Sequence, residues 1–138
     1  MPAAFPLAIV IVSGIVYHVA QKASGAARPW PMLAVAYGSA FALTLVLALA
    51  SRDAAPWPAG RERAAGLLLG LAAFGIEAGF FFIYRSGWPL ASASVIASAA
   101  VTATLVVVGI LAFGEPLTGS RAAGLALAVV GSALIARG

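Results

Sequence analysis

The sequence predicts an all-α integral membrane protein of five spanning helices, and three observations predict it. Hydrophobic residues make up 63% of the 138-residue chain and charged residues only 9%, against a charged share of about 25% in soluble domains. The apolar residues gather in five stretches, each close to the ~20 residues that cross a bilayer. The Lys and Arg residues fall between or at the ends of these stretches. A soluble domain could not dress its surface with so few charges. The net charge of +4 would point a soluble protein toward nucleic acid. Between membrane spans, lipid headgroups are the natural counter-ions, so the expected partner is the bilayer and not nucleic acid.

The first helix is expected over about residues 3–21, ending in the Lys22-Ala-Ser-Gly-Ala-Ala-Arg-Pro turn. Its apolar core resembles a signal peptide, but no Lys or Arg precedes it and Lys22 and Arg28 follow it. It is therefore expected to be retained. The second helix is expected over about 31–51, with Pro31 in the first turn, where a missing N–H costs nothing. A loop follows with Asp53, Pro56, Trp57, Pro58 and Gly60, its Trp suited to the membrane interface. The third helix is expected over about 62–84, closed by a Ser86-Gly87-Trp88-Pro89 turn, and the fourth over about 89–113. Gly114 suits a left-handed cap and Pro116 cannot continue a helix, so the fourth ends there. The fifth is expected over about 118–136. The loops are too short for a second domain, so the chain reads as a single five-helix membrane domain.

Five spans put Arg52, Arg61, Arg63 and Arg121 on one side of the membrane and Lys22, Arg28, Arg85 and Arg137 on the other. Orientation follows the side richer in Lys and Arg. Four against four sets no preference, and the sharper reading of that balance is dual insertion with antiparallel pairing. Small residues at helical spacing supply packing faces. They are Gly75 and Gly79 in the third helix, Gly124 and Gly131 in the fifth, and the stripe Ser94, Ser98, Thr102 in the fourth. Simple helix packing explains most of these, while Ser94 and Ser98 are also candidates to line a polar cavity.

The run Gly114-Glu115-Pro116-Leu117-Thr118, followed by Arg121, Gly124 and Gly131 in an apolar helix, resembles the closing signature of the drug/metabolite transporter superfamily. Pro89-Leu90-Ala91 opening a small-residue helix is similar to the preceding helix of its EamA-type members. The chain thus resembles one free-standing five-helix half of a ten-helix EamA protein. The resemblance implies a small transporter acting as a ten-helix homodimer, in what would be a bacterial inner membrane. Small multidrug resistance proteins, in the same superfamily, carry an essential glutamate in the middle of their first helix. Here that stretch reads Ser13-Gly14-Ile15-Val16-Tyr17-His18, without an acid. Their proton-exchange mechanism therefore does not carry over directly. A carboxylate doing that work here would have to be Glu77, in the third helix.

Glu77 and His18 are the ionisable residues deep inside the apolar spans. Such residues in a bilayer are costly and are usually functional. Glu77 falls three residues past the centre of 64–84, about 4.5 Å from the midplane, and His18 sits past its own midpoint on the same side. Gly14, His18 and Gln21 share a face of the first helix, which should point inward. Low dielectric penalises the charged form of any carboxyl, so reversible protonation becomes available chemistry. Glu77 then reads as a binder of protons or of a cationic solute, as a core residue satisfied by His18, Tyr17, Tyr84 or a serine, or as a protonated, passive group at a helix interface. Phe81 and Tyr84 lie four and seven residues on, on the same face. Aromatic rings beside a carboxylate hold organic cations, though aromatics also pack against lipid. Glu115 is expected to cap the fourth helix with Arg121 nearby. The candidate solute or proton-binding residues are Glu77, His18, Tyr84, Phe81, Ser94 and Ser98.

No phosphate loop, metal cluster or activated nucleophile is legible, so neither an enzyme nor a cofactor or metal site is expected. The alternative to a transporter is a non-transporting membrane subunit that assembles with a larger partner or a lipid-handling complex. Its helix faces would be assembly surfaces and Glu77 would pair with the partner.

Overall fold

The computed structural model describes residues 4–25, 28–51 and 57–137. Among them are five α-helices, α1 Ala4–Ser24, α2 Pro29–Ala50, α3 Gly60–Arg85, α4 Leu90–Phe113 and α5 Gly119–Arg137. Each is long and apolar enough to cross a membrane. Arg52, Asp53 and Pro56 of the loop expected after the second helix lie outside the described residues, as do Ala26 and Ala27.

Local chemistry sets the ends. Pro29 and Pro31 occupy the first turn of α2, where proline's fixed φ already suits the helix. α1 runs three residues past the expected Gln21, because Lys22-Ala-Ser is compatible with helix and the break waits for Gly25. α3 starts two residues before the expected Glu62. Its 26 residues rise about 39 Å, more than the ~30 Å of a hydrocarbon core, so the charged first turn Arg61-Glu62-Arg63 projects beyond it. Gly87, at φ +91°, makes the tight turn between α3 and α4, its N–H donating to the Tyr84 carbonyl at 3.1 Å.

Close packing divides the chain into two compact units. One holds Met1–Ala23 with Ile83–Gly138, and the other Ser24–Phe82. In the first, α4 packs along α5, and Tyr84, Ala93, Gly109 and Gln21 are its buried residues. In the second, α2 and α3 bring Trp30 and Tyr37 against phenylalanines of α3. Most large apolar side chains are exposed in the isolated chain, Leu111 by 80% and Leu49 by 73%. In water this would be ruinous; in a bilayer the acyl chains supply the missing contacts, leaving the helix interiors to satisfy the backbone.

Candidate functional site

The first unit gathers a polar cluster at the C-terminal end of α1. The Tyr84 hydroxyl and His18 Nδ1 are 2.9 Å apart and hydrogen-bonded, with the donor set by the imidazole tautomer. One turn on, Gln21 Nε2 donates to the Tyr17 hydroxyl at 3.2 Å. Lys22 Nζ donates to the Trp88 carbonyl at 2.6 Å and stands 5.6 Å over the centre of the Tyr84 ring. A cation over an aromatic face is attracted by the ring quadrupole, and its bond to a carbonyl is charge-assisted. Together these contacts fasten the end of α1 to the α3–α4 turn. Gly14 and His18 are half-buried and Gln21 buried, while the α1 residues around them are mostly exposed.

The same unit carries an open groove of about 670 Å³ along α1, α4 and α5. His18 lines it from α1, Ser94, Ser98 and Thr102 from α4, and Ser132 from α5. The Ser94 hydroxyl donates to the Leu90 carbonyl at 3.0 Å, and that of Ser132 to the Val129 carbonyl at 2.8 Å. Four of the expected site residues, His18, Tyr84, Ser94 and Ser98, therefore belong to this unit.

Glu77 and Phe81 belong to the second unit. Glu77 is half-buried on α3. Trp30 of α2 stacks on Phe74 with centroids 6.1 Å apart and meets Phe82 edge-on at the same separation. Phe74 and Phe82 flank Glu77 along α3, so the indole spans the stretch that carries the carboxyl. Tyr37, seven residues after Trp30 and so on the same face of α2, lies 6.5 Å from Phe74. Its hydroxyl is sealed from solvent with no hydrogen-bond partner among the described residues. Phe81 is buried and edge-on to Phe82 at 5.6 Å. Trp30 and Tyr37 were missed in the sequence, although their seven-residue spacing was a signal.

The Gly114–Thr118 run builds the joint between α4 and α5. Gly114 adopts φ +65°, and the Glu115 N–H closes the helix end on the Gly109 carbonyl at 3.0 Å. The Glu115 carboxylate folds back over Gly109, where an added Cβ would stand 3.2 Å from Oε2, and pairs with Arg121 at 3.7 Å. Arg121 also donates to the Pro116 carbonyl at 3.2 Å. Thr118 caps α5, its Oγ1 accepting the Arg121 N–H at 3.3 Å. Gly109 is thus the glycine whose missing side chain admits a neighbour. Among the described residues no atom of another element comes within 4 Å of a Cβ built on Gly75, Gly79, Gly124 or Gly131, and Gly131 lines the groove from α5.

No group of three or more His, Cys, Asp or Glu side chains suited to a metal occurs among the described residues. The sequence profile of the EamA-like transporter family matches residues 2–137. No individual curated protein and no solved structure matches the chain.

Proposed function

The chain belongs to the EamA-like transporter family, and on that premise we propose that it moves a small organic solute across the membrane, coupled to protons through Glu77. The observation that carries this reading is Glu77 itself. It is an acid half-buried in an apolar span, with the Trp30, Phe74 and Phe82 rings along the same stretch. A carboxyl so placed can take a proton, and once ionised it can hold a cationic group against aromatic faces. The two occupants exclude each other, and that exclusion couples their movements. Within the first unit, His18, Ser94 and Ser98 line a groove that is a separate candidate surface for the solute, and Tyr84 holds His18.

Five helices are few to enclose a pathway with alternating access. Two copies supply ten, and antiparallel pairing reproduces the inverted repeats common among transporters. The balanced Lys and Arg count supports that arrangement, in a bacterial inner membrane. The α3 face bearing Gly75 and Gly79, with no described atom within 4 Å of a built Cβ, suits contact between one protomer and its partner. Each Glu77 would sit about 4.5 Å from the midplane, on opposite sides.

Proteoliposomes with an imposed pH gradient test the coupling. Glu77→Gln preserves shape and removes the titration, so it is expected to lower gradient-driven uptake by at least about tenfold, the effect of roughly 1.4 kcal/mol on a rate. Uptake that survives with its pH dependence intact would sink the exchange mechanism.

A further inference from the structure

We propose that the groove along α1, α4 and α5 is a water-filled solute site that recognises O–H and N–H donors carried on a short aliphatic body and turns carboxylates away. This deepens the transport reading and rests on it, by naming the class of solute.

The argument starts from where the hydroxyl protons go. Ser94 on α4 gives its proton to the Leu90 carbonyl, and Ser132 on α5 gives its proton to the Val129 carbonyl. A hydroxyl whose proton is committed to its own helix offers the groove only lone pairs. Two walls therefore present acceptors. Ser98 and Thr102 extend the α4 stripe at four-residue spacing, and their hydroxyls bring a proton as well as lone pairs. Among the described residues no Lys, Arg, Asp or Glu lines the groove, and His18 is the titratable side chain that does. Lys22, one turn beyond His18, is committed to the Trp88 carbonyl.

An anion entering here would shed water and find no Lys or Arg among the described lining residues, and the Ser98 and Thr102 hydroxyls alone would not offset that cost. A hydroxyl, amide or amine would find those same lone pairs waiting. The rest of the wall, with Val10, Ile11, Val95 and Ile135, is apolar and suits a short hydrocarbon portion. The volume of about 670 Å³ lies within the roughly 300–1,000 Å³ of small-molecule sites.

The chain has no cysteine, so Ser94→Cys, Ser98→Cys and Ser132→Cys each create a single reporter thiol in the full protein. Val101→Cys is the control, on α4 but 57% exposed and outside the groove lining. In membrane vesicles, a membrane-impermeant cationic thiosulfonate should modify the three groove thiols and spare the control. Added 1,2-hexanediol or hexylamine should slow modification by about threefold or more, which corresponds to about two-thirds occupancy, and hexanoate should not. Unreactive groove thiols, meaning that lipid or a partner helix fills the space, would overturn the proposal. So would a control thiol that reacts as fast, protection by hexanoate equal to that by the diol, or protection by hexylamine alone, which would make charge the basis of recognition. These labelling rates do not depend on Glu77, so a failure of proton coupling remains distinguishable from a failure here.

Discussion

A hydrogen bond between Tyr84 and His18 ties α1 to the end of α3, and Tyr84 is buried. Tyr84→Phe keeps the ring and strips the imidazole of that partner. It should cost about 0.5–1.5 kcal/mol, the net contribution of one hydrogen bond, read as a lower melting temperature in detergent. Tyr37 predicts the opposite sign. Its hydroxyl is sealed without a partner among the described residues, so Tyr37→Phe should leave melting unchanged or raise it. A melting temperature that falls as far as that of Tyr84→Phe would mean the hydroxyl has a partner after all. His18 and Glu77 were legible as exceptions because charge in an apolar span has few innocent explanations. Tyr37 was not, since a tyrosine inside a span is chemically ordinary until its surroundings are known.

The α4–α5 joint shows why a short run of residues can be diagnostic. Gly114 takes a left-handed conformation, Thr118 caps α5, and Glu115 crosses Gly109 to reach Arg121. The three devices should contribute unequally. Gly114→Ala forces a side chain into that conformation and should cost about 1–2 kcal/mol. Thr118→Ala should cost about 1 kcal/mol through the lost cap. Glu115→Ala should cost less than either, because both partners of its ion pair are more than half exposed and such pairs contribute at most about 1 kcal/mol. Thermal unfolding of the three variants side by side would read that order, and Glu115→Ala as the most damaging would refute it. Gly114, Pro116 and Thr118 announce a helix end by residue type alone. Gly109 does not, because its role exists only once Glu115 has folded back.

For the whole molecule, the balanced distribution of Lys and Arg predicts chains inserted both ways. Reporters active only inside or only outside the membrane, fused after Arg137, should both give signal. Adding two Lys to one side should bias insertion toward one orientation and, on the antiparallel reading, lower transport. Signal from one side alone would make the balance a coincidence and shift weight to a parallel assembly. It would also favour a subunit that waits for a different partner. Assembly is what the single chain leaves open, since a Cβ built on Gly75 or Gly79 meets no described atom within 4 Å.

The sequence by itself determined the five helices and their approximate ends, because length, apolar content and the chemistry of Pro and Gly act locally. It also marked Glu77 and His18, because a bilayer penalises ionisable groups whatever the fold. Only the tertiary structure decided that Tyr84 meets His18, that Trp30 lies between Phe74 and Phe82, and that hydroxyls from α4 and α5 face one groove with α1. Inside lipid, apolar helix faces have no hydrophobic preference for one another over acyl chains. Which faces meet is set by shape and by a few polar contacts between helices, and the periodicity of one helix carries no record of its neighbour.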